Sequence, residues 1–128
     1  MTAWTTDELT RIVSAEELEI ASLRPDGTLR KPVTIWVVRD GDSLYVRSVK
    51  GPTAAWFRGT RERHEGRIRA GGVEKDVTFV DADHGIDDDV DAAYRSKYQR
   101  YAGSILNSVL TTQARSTTIK LLPRSTRS

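Results

Sequence analysis

Arg30-Lys31-Pro32-Val33-Thr34-Ile35-Trp36-Val37-Val38-Arg39-Asp40-Gly41-Asp42-Ser43-Leu44-Tyr45-Val46-Arg47-Ser48-Val49-Lys50-Gly51-Pro52-Thr53-Ala54-Ala55-Trp56-Phe57-Arg58 is the stretch on which the fold turns. Val33 to Val38 is rich in β-branched residues and apolar on both faces, which predicts one strand from Thr28 to Arg39, buried on both sides. Asp40-Gly41-Asp42 has the composition of a tight hairpin turn. Ser43 to Val49 then predicts a strand with Leu44 and Val46 on one face and Tyr45 and Arg47 on the other. Lys50-Gly51-Pro52-Thr53 ends that strand, and Ala54 to Thr60 predicts a short helix holding Trp56 and Phe57.

Working outward, Thr6 before Asp7, Glu8 and Leu9 predicts a helix start, with Leu9, Ile12 and Val13 at helical spacing. Glu17 to Leu23 alternates as a strand, and Arg24-Pro25-Asp26-Gly27 is a turn in which proline presets one torsion and glycine permits positive φ. Beyond the opening stretch, Glu65 to Ala70 and Val73 to Val80 predict two strands joined by Gly71-Gly72. Ile86 to Tyr101 predicts a helix with Val90, Tyr94, Tyr98 and Tyr101 on one face. A short helix over Ser104 to Thr112 and a last strand over Ser116 to Leu122 complete the chain. Six short strands with few helices predict a mainly β (α+β) fold, a small antiparallel barrel with peripheral helices. One domain over 1–128 is expected, with an ordered body at about 6–124 and a frayed polar tail at 125–128.

The chain has 128 residues, 38% hydrophobic and 30% charged, a composition that suits a globular domain. It has no cysteine, which excludes disulfides, thiol catalysis and sulfur-ligated metals. Its two histidines, His64 and His84, leave little for a zinc centre. Either is a possible general base, but neither has a partner visible in the sequence. No apolar run is long enough to span a bilayer. Met1 to Leu9 carries acids and no signal core, so a cytoplasmic location of bacterial type is expected.

The net charge of +2 conceals a cancellation. Tyr45 to Lys75 holds eight bases against three acids, whereas Asp81 to Asp91 holds six aspartates and no Lys or Arg. Both stretches have a plain reading: Arg67 and Arg69 suit the outer face of a strand, and the aspartates suit a helix start. The calcium-loop spacing is missing, so no metal is expected. Nucleic acid is not an expected partner either, because aromatics are not interleaved with the bases. Arg47 to Arg58 has a second reading. A strand end, a glycine and a helix start beside Arg47, Ser48, Lys50 and Arg58 supply what a phosphate requires, with Lys31 on the neighbouring strand.

The run Arg30 to Trp36, the Asp40 to Val46 hairpin and the Lys50-Gly51…Ala55-Trp56-Phe57-Arg58 segment together resemble the FMN-binding split β-barrel superfamily. The likeness is to its deazaflavin-dependent nitroreductase-like members and to a related bacterial family of unknown function. It continues through Ala93-Tyr94-Arg95-Ser96-Lys97-Tyr98 and Thr117-Thr118-Ile119-Lys120-Leu121-Leu122-Pro123-Arg124, so it spans about Thr6 to Arg124. The resemblance implies a six-stranded Greek-key barrel, commonly a homodimer, with FMN or a deazaflavin in a groove against the barrel. Carried over by position, Lys31, Arg47, Ser48 and Lys50 would hold the cofactor phosphate, beside Gly51. Val33 and Thr34 would line the ring system, with Trp56 and Arg58 in support. Where the deazaflavin-dependent relatives continue with Asn-Leu, this chain has Gly59-Thr60.

The function so implied is an oxidoreductase acting on a small organic substrate by cofactor hydride transfer. The alternative is a cofactor-free barrel that binds a small molecule, or a biosynthetic catalyst, with a tyrosine-lined pocket. Tyr94, Tyr98 and Tyr101 are either a packed stripe or hydroxyls facing such a pocket as proton donors. On an ideal helix Lys97 faces away from them into solvent, and Trp36 reads as core.

Overall fold

In the computed structural model, residues 3–101 and 103–124 are described, and the tail expected to fray at 125–128 lies outside them. The strands are β1 (Leu18–Ser22), β2 (Val33–Ile35), β3 (Val38–Asp40), β4 (Ser43–Val46), β5 (Glu65–Ala70), β6 (Val73–Asp81) and β7 (Ile119–Pro123). They form one antiparallel sheet in the order β2-β1-β5-β6-β7-β4-β3.

That order corrects the expected strand count. The single strand expected from Thr28 to Arg39 is two, and seven strands replace six. β2 is one edge of the sheet and β3 the other, yet only Trp36 and Val37 separate them in the chain. The edges can lie that close in sequence only if the sheet curls until they meet, and this makes it a split barrel. Burial on both faces also fails for β2: Val33 and Thr34 are exposed and Ile35 is half-buried, because β2 pairs only with β1. Val37 and Val38, just past the bend, are 0% exposed.

Local chemistry sets the pieces. Gly41 takes φ +61 at the first position of the two-residue β3–β4 turn, which matches strand twist. α1 (Thr6–Ser14) is capped by Thr5, one residue before the expected cap, in a reciprocal box with Glu8. The Thr5 amide and then Lys75 hold the Glu8 carboxyl below its ordinary range. Leu9 and Ile12 of α1 enter the barrel beside Trp4, whose indole N–H donates to the Leu121 carbonyl at 2.9 Å. Gly66 lets β5 approach β1, since a Cβ there would lie 2.2 Å from the Ala21 carbonyl oxygen.

The barrel interior joins Leu18, Ile20, Leu44, Val46, Ile68, Val77, Phe79, Ile119 and Leu121. Outside it, α3 (Asp87–Lys97) and α4 (Ser104–Asn107) help form a second cluster of Val38, Tyr45, Val90, Tyr94, Tyr98, Leu106 and Val109. Strand alternation thus sends Leu44 and Val46 inward and Tyr45 outward. The long helix expected to reach Tyr101 stops at Lys97 and continues as a 3₁₀ turn over Gln99–Tyr101. The helix expected over Ser104 to Thr112 divides into α4 and α5 (Thr112–Arg115), because the Thr111 hydroxyl caps a new start by accepting the Ala114 N–H at 3.0 Å. Among the described residues, no helix is long and apolar enough to cross a membrane.

Candidate functional site

Where β4 ends, the chain turns outward through Arg47, Ser48, Val49 and Lys50 to a 3₁₀ turn at Gly51–Thr53 and then α2 (Ala55–Arg63). This segment and the edge strand β2 enclose a cleft of about 520 Å³. Val33, Thr34, Ile35 and Trp36 form one wall, Ser48 to Lys50 another, and Ala54 to Trp56 a third, with Ile105 and Val109 across from them. The walls are mainly apolar, and the size suits a cofactor-sized ligand. A second pocket of about 220 Å³ adjoins it and shares Val33, Ala55 and Trp56. Its other lining residues include Arg24, Arg30 and Lys31.

Of the residues singled out in the sequence, Val33, Thr34, Ser48, Lys50 and Trp56 border the larger cleft, and Lys31 lies next door. Lys31 and Lys50 are exposed, and neither makes an ion pair among the described residues. Arg47 gives only its backbone side to the cleft. Its fully buried guanidinium donates to Thr118 Oγ1 (2.9 Å), to Asp91, and to the carbonyls of Val109 (2.9 Å) and Asp87 (3.1 Å). The Ser48 hydroxyl donates to the Gly51 carbonyl at 2.9 Å. Gly51 adopts φ +72, and its close approach is to Gln113 rather than to open cleft, since a Cβ would lie 2.1 Å from Gln113 Cγ. Gln113 in turn donates to the Lys50 carbonyl at 3.0 Å, which fixes the loop. Arg58 is exposed on α2 and lines neither pocket.

Arg30 was not among the expected site residues. One arm pairs with Glu62, but its Nε is buried and has no hydrogen-bond partner. Gly59 explains the room it occupies: a Cβ at 59 would lie 3.0 Å from that Nε and 2.6 Å from Ser22 Oγ. Glycine inside a helix costs about 1 kcal/mol relative to alanine, so a spatial demand accounts for it here. Gly59, the first residue of the Gly59-Thr60 pair, is thus the seat of Arg30.

The tyrosines form the packed stripe. Tyr94 and Tyr98 are almost fully buried and Tyr101 half-buried, and none lines either pocket. The Tyr98 hydroxyl donates to the Glu16 carbonyl at 2.6 Å, and burial pushes both Tyr94 and Tyr98 well above the ordinary phenol range. Trp36 lies flat on Tyr98, with ring centroids 3.9 Å apart, and its remaining surface lines the cleft. Lys97 is not solvated as expected. It is half-buried, donates to the Val37 carbonyl at 2.7 Å, and burial lowers its amine to about 8. His64 closes α2 in the left-handed conformation, and exposed His84 meets Asp87 at 3.0 Å; both lie away from the cleft.

The charged stretches resolve locally. Arg61 pairs with Asp81, Arg67 with Asp76 and Lys75 with Glu8, while Asp87 and Asp91 face Arg47. Among the described residues, no group of three or more His, Cys, Asp or Glu is placed to hold a metal ion.

Residues 8–121 match a family described as "Uncharacterized protein conserved in bacteria (DUF2255)". The chain belongs to the DUF2255 family. No curated protein matches its sequence. Among solved structures, it is similar to the heme storage protein HutZ from Vibrio cholerae, with TM-score 0.64 and 12% identity over 94% of this chain and 90% of that one. An FAD-binding protein from Mesorhizobium loti gives TM-score 0.55 and 15% identity over 97% and 93% of the two chains. An F420 reductase gives TM-score 0.51 and 17% identity over 89% and 91%. At these identities the likeness is one of fold: this DUF2255 protein shares its split-barrel fold with these structures.

Proposed function

We propose that this protein binds a phosphate-bearing flavin or deazaflavin in the cleft and acts as an oxidoreductase on a small organic substrate. The observation that carries the reading is the junction at Trp56, where an apolar cleft meets a basic pocket holding a buried, unpartnered Arg30 Nε. A buried donor without a partner is uncommon, and Arg30 also lines the basic pocket, where a ligand oxygen would give its guanidinium an acceptor. Arg30, Lys31 and Lys50 would hold the phosphate, while Val33, Thr34 and Trp56 would flank the ring system. Ser48, Gly51 and Arg47 would shape the loop between them, and Arg58 would contribute only long-range positive charge. When bound, the cofactor supplies hydride chemistry for which this cleft has no side chain of its own. The names of the FAD-binding and F420-reductase structures favour the same class.

The tyrosine-lined alternative loses its footing, because the three tyrosines are packed away from both pockets. A homodimer belongs to the proposed reading: Val33, Val49 and Ile105 are exposed apolar residues on the walls of the cleft, where a second subunit would cover them. A cytoplasmic location belongs to the same reading. The test is a visible absorption spectrum of the purified protein, followed by equilibrium dialysis against FMN and against a deazaflavin. Uptake of one of them, weakened in the double variant Lys31→Ala/Lys50→Ala, is the expected result. Failure to bind either at tens of micromolar would sink the reading.

A further inference from the structure

The larger cleft has unlike ends. Lys50 and the basic pocket lie toward α2, and Glu17 is the one acid on the cleft wall. Glu17 is also unlike the other six glutamates of the chain. Glu8, Glu16, Glu19, Glu62, Glu65 and Glu74 each pair with a lysine or arginine, whereas Glu17 has no such partner among the described residues. Lys97 docks at the same bend but gives its amine to the Val37 carbonyl instead.

Glu17 shares the cleft wall with an aromatic ring. Leu18 and Ile35 are the last β1–β2 pair, and the residues next to them, exposed Glu17 and half-buried Trp36, both line the cleft. Trp36 is immobilised from behind, stacked on Tyr98 with an interplanar angle of 5°. Tyr98 is tied in turn by its hydroxyl, which donates to the Glu16 carbonyl and accepts the Val37 N–H at 3.2 Å. A free carboxylate and a rigid indole on the wall of one apolar cleft are a set that selects a cationic nitrogen: the carboxylate supplies charge and the ring face supplies quadrupole attraction. An anion in the same place meets the carboxylate, and a neutral ligand gains only apolar contact.

We propose that the Glu17–Trp36 end of the cleft is a subsite for an organic cation, so that the substrate carries an ammonium, amidinium or pyridinium-type nitrogen on a small apolar or planar body. The inference rests on the reading that cofactor and substrate meet in this cleft, and it names the substrate class. The two charged ends orient such a molecule, because Lys50 and the basic pocket repel the group that Glu17 attracts.

Intrinsic fluorescence reads the test directly, since Trp36 and Trp56 line the cleft while Trp4 is buried in the barrel. Benzyltrimethylammonium, benzyl alcohol and benzoate are titrated at one ionic strength, before and after addition of FMN. The ammonium is expected to bind about tenfold tighter than the alcohol, and benzoate, which the Lys50 end attracts, is expected to lose its binding once FMN is added. Glu17→Gln should erase the gap between ammonium and alcohol, and Glu17→Lys should make benzoate the best of the three. Equal binding of the ammonium and the alcohol by the native protein, or a preference for the ammonium that survives Glu17→Gln, overturns the proposal. FMN uptake by the native protein is scored separately. Uptake without a cation preference removes this inference alone, and a cation preference without uptake removes the cofactor reading alone.

Discussion

Arg47 and Arg30 stand at the borders of the same cleft system and both face carboxylates, but they differ in what they have left to give. Arg47 is fully buried and distributes its donors among Thr118, Asp91, Val109 and Asp87, tying the end of β4 to α3, to the segment after α4 and to the approach to β7. Arg30 is about one-third exposed, shares one arm with Glu62 and keeps a buried Nε unpartnered beside an open pocket. Both count as +1 in the sequence. A guanidinium has five donors, and whether neighbours consume them decides between scaffold and site. The two arginines are therefore expected to fail differently when removed.

The largest effect is expected at Arg47. Arg47→Met takes the buried guanidinium from Asp87 and Asp91, each about one-tenth exposed, leaving Asp91 only Arg115 at 3.3 Å and Asp87 only the exposed His84 at 3.0 Å. Breaking a buried pair from one side costs about 3–5 kcal/mol, so urea unfolding should show a loss of that order. Arg47→Lys should rescue little, because an ammonium cannot reach four acceptors in a planar fan. A variant as stable as the native protein would move Arg47 from scaffold to site and erase the contrast.

Arg30→Met should do the reverse. The Arg30–Glu62 pair is partly exposed and screened, so the stability loss is expected at about 1 kcal/mol or less. FMN affinity should fall about tenfold or more, the effect of one charge-assisted hydrogen bond. Gly59→Ala sharpens the point with a smaller effect, because its Cβ presses on Arg30 Nε and Ser22 Oγ without removing either. FMN binding should weaken severalfold in dialysis, while helix propensity offsets the strain in stability. Loss of stability without loss of FMN affinity in both variants would make Arg30 a second Arg47.

Some of this was legible in the sequence and some was not, for physical reasons. Alternation over Ser43 to Val46 sorted Leu44 and Val46 from Tyr45, because one face of β4 meets the barrel interior. The loop motif placed Ser48 and Lys50 near Val33, Thr34 and Trp56, and the cleft brings these together. The bend at Trp36 was not legible: β-propensity is uniform from Val33 to Val38, and the break is imposed by closure of a sheet whose edges share that run. The burial of Arg47 was equally hidden, since its partners lie 40 to 71 positions away. Arg30 was missed because its meaning depends on Gly59, whose spatial role no local pattern announces. Lys97 was misread because a helical wheel assumes that the helix continues, whereas α3 ends there and the long side chain folds back onto the Val37 carbonyl.

Lys97 tests the comparison from between its extremes. It is half-buried and lies 5.0 Å from the centre of the Tyr98 ring, but it meets one carbonyl and has no carboxylate within ion-pair distance among the described residues. Desolvation without a counter-charge lowers its amine to about 8, against an ordinary value of 10.5. Between those values the unfolded chain binds the proton more tightly than the folded one. Stability therefore rises with pH across that window and is flat below it as far as Lys97 is concerned. Tyr94 and Tyr98 act in the opposite sense: their phenols are raised when folded, so stability falls once the unfolded tyrosines ionise above their ordinary 10.0. Urea unfolding across this range should thus show a maximum between about 8 and 10. Lys97→Met should remove the rise and keep the fall, whereas a rise that persists in the variant would assign it to another group and show that the amine is compensated as fully as Arg47.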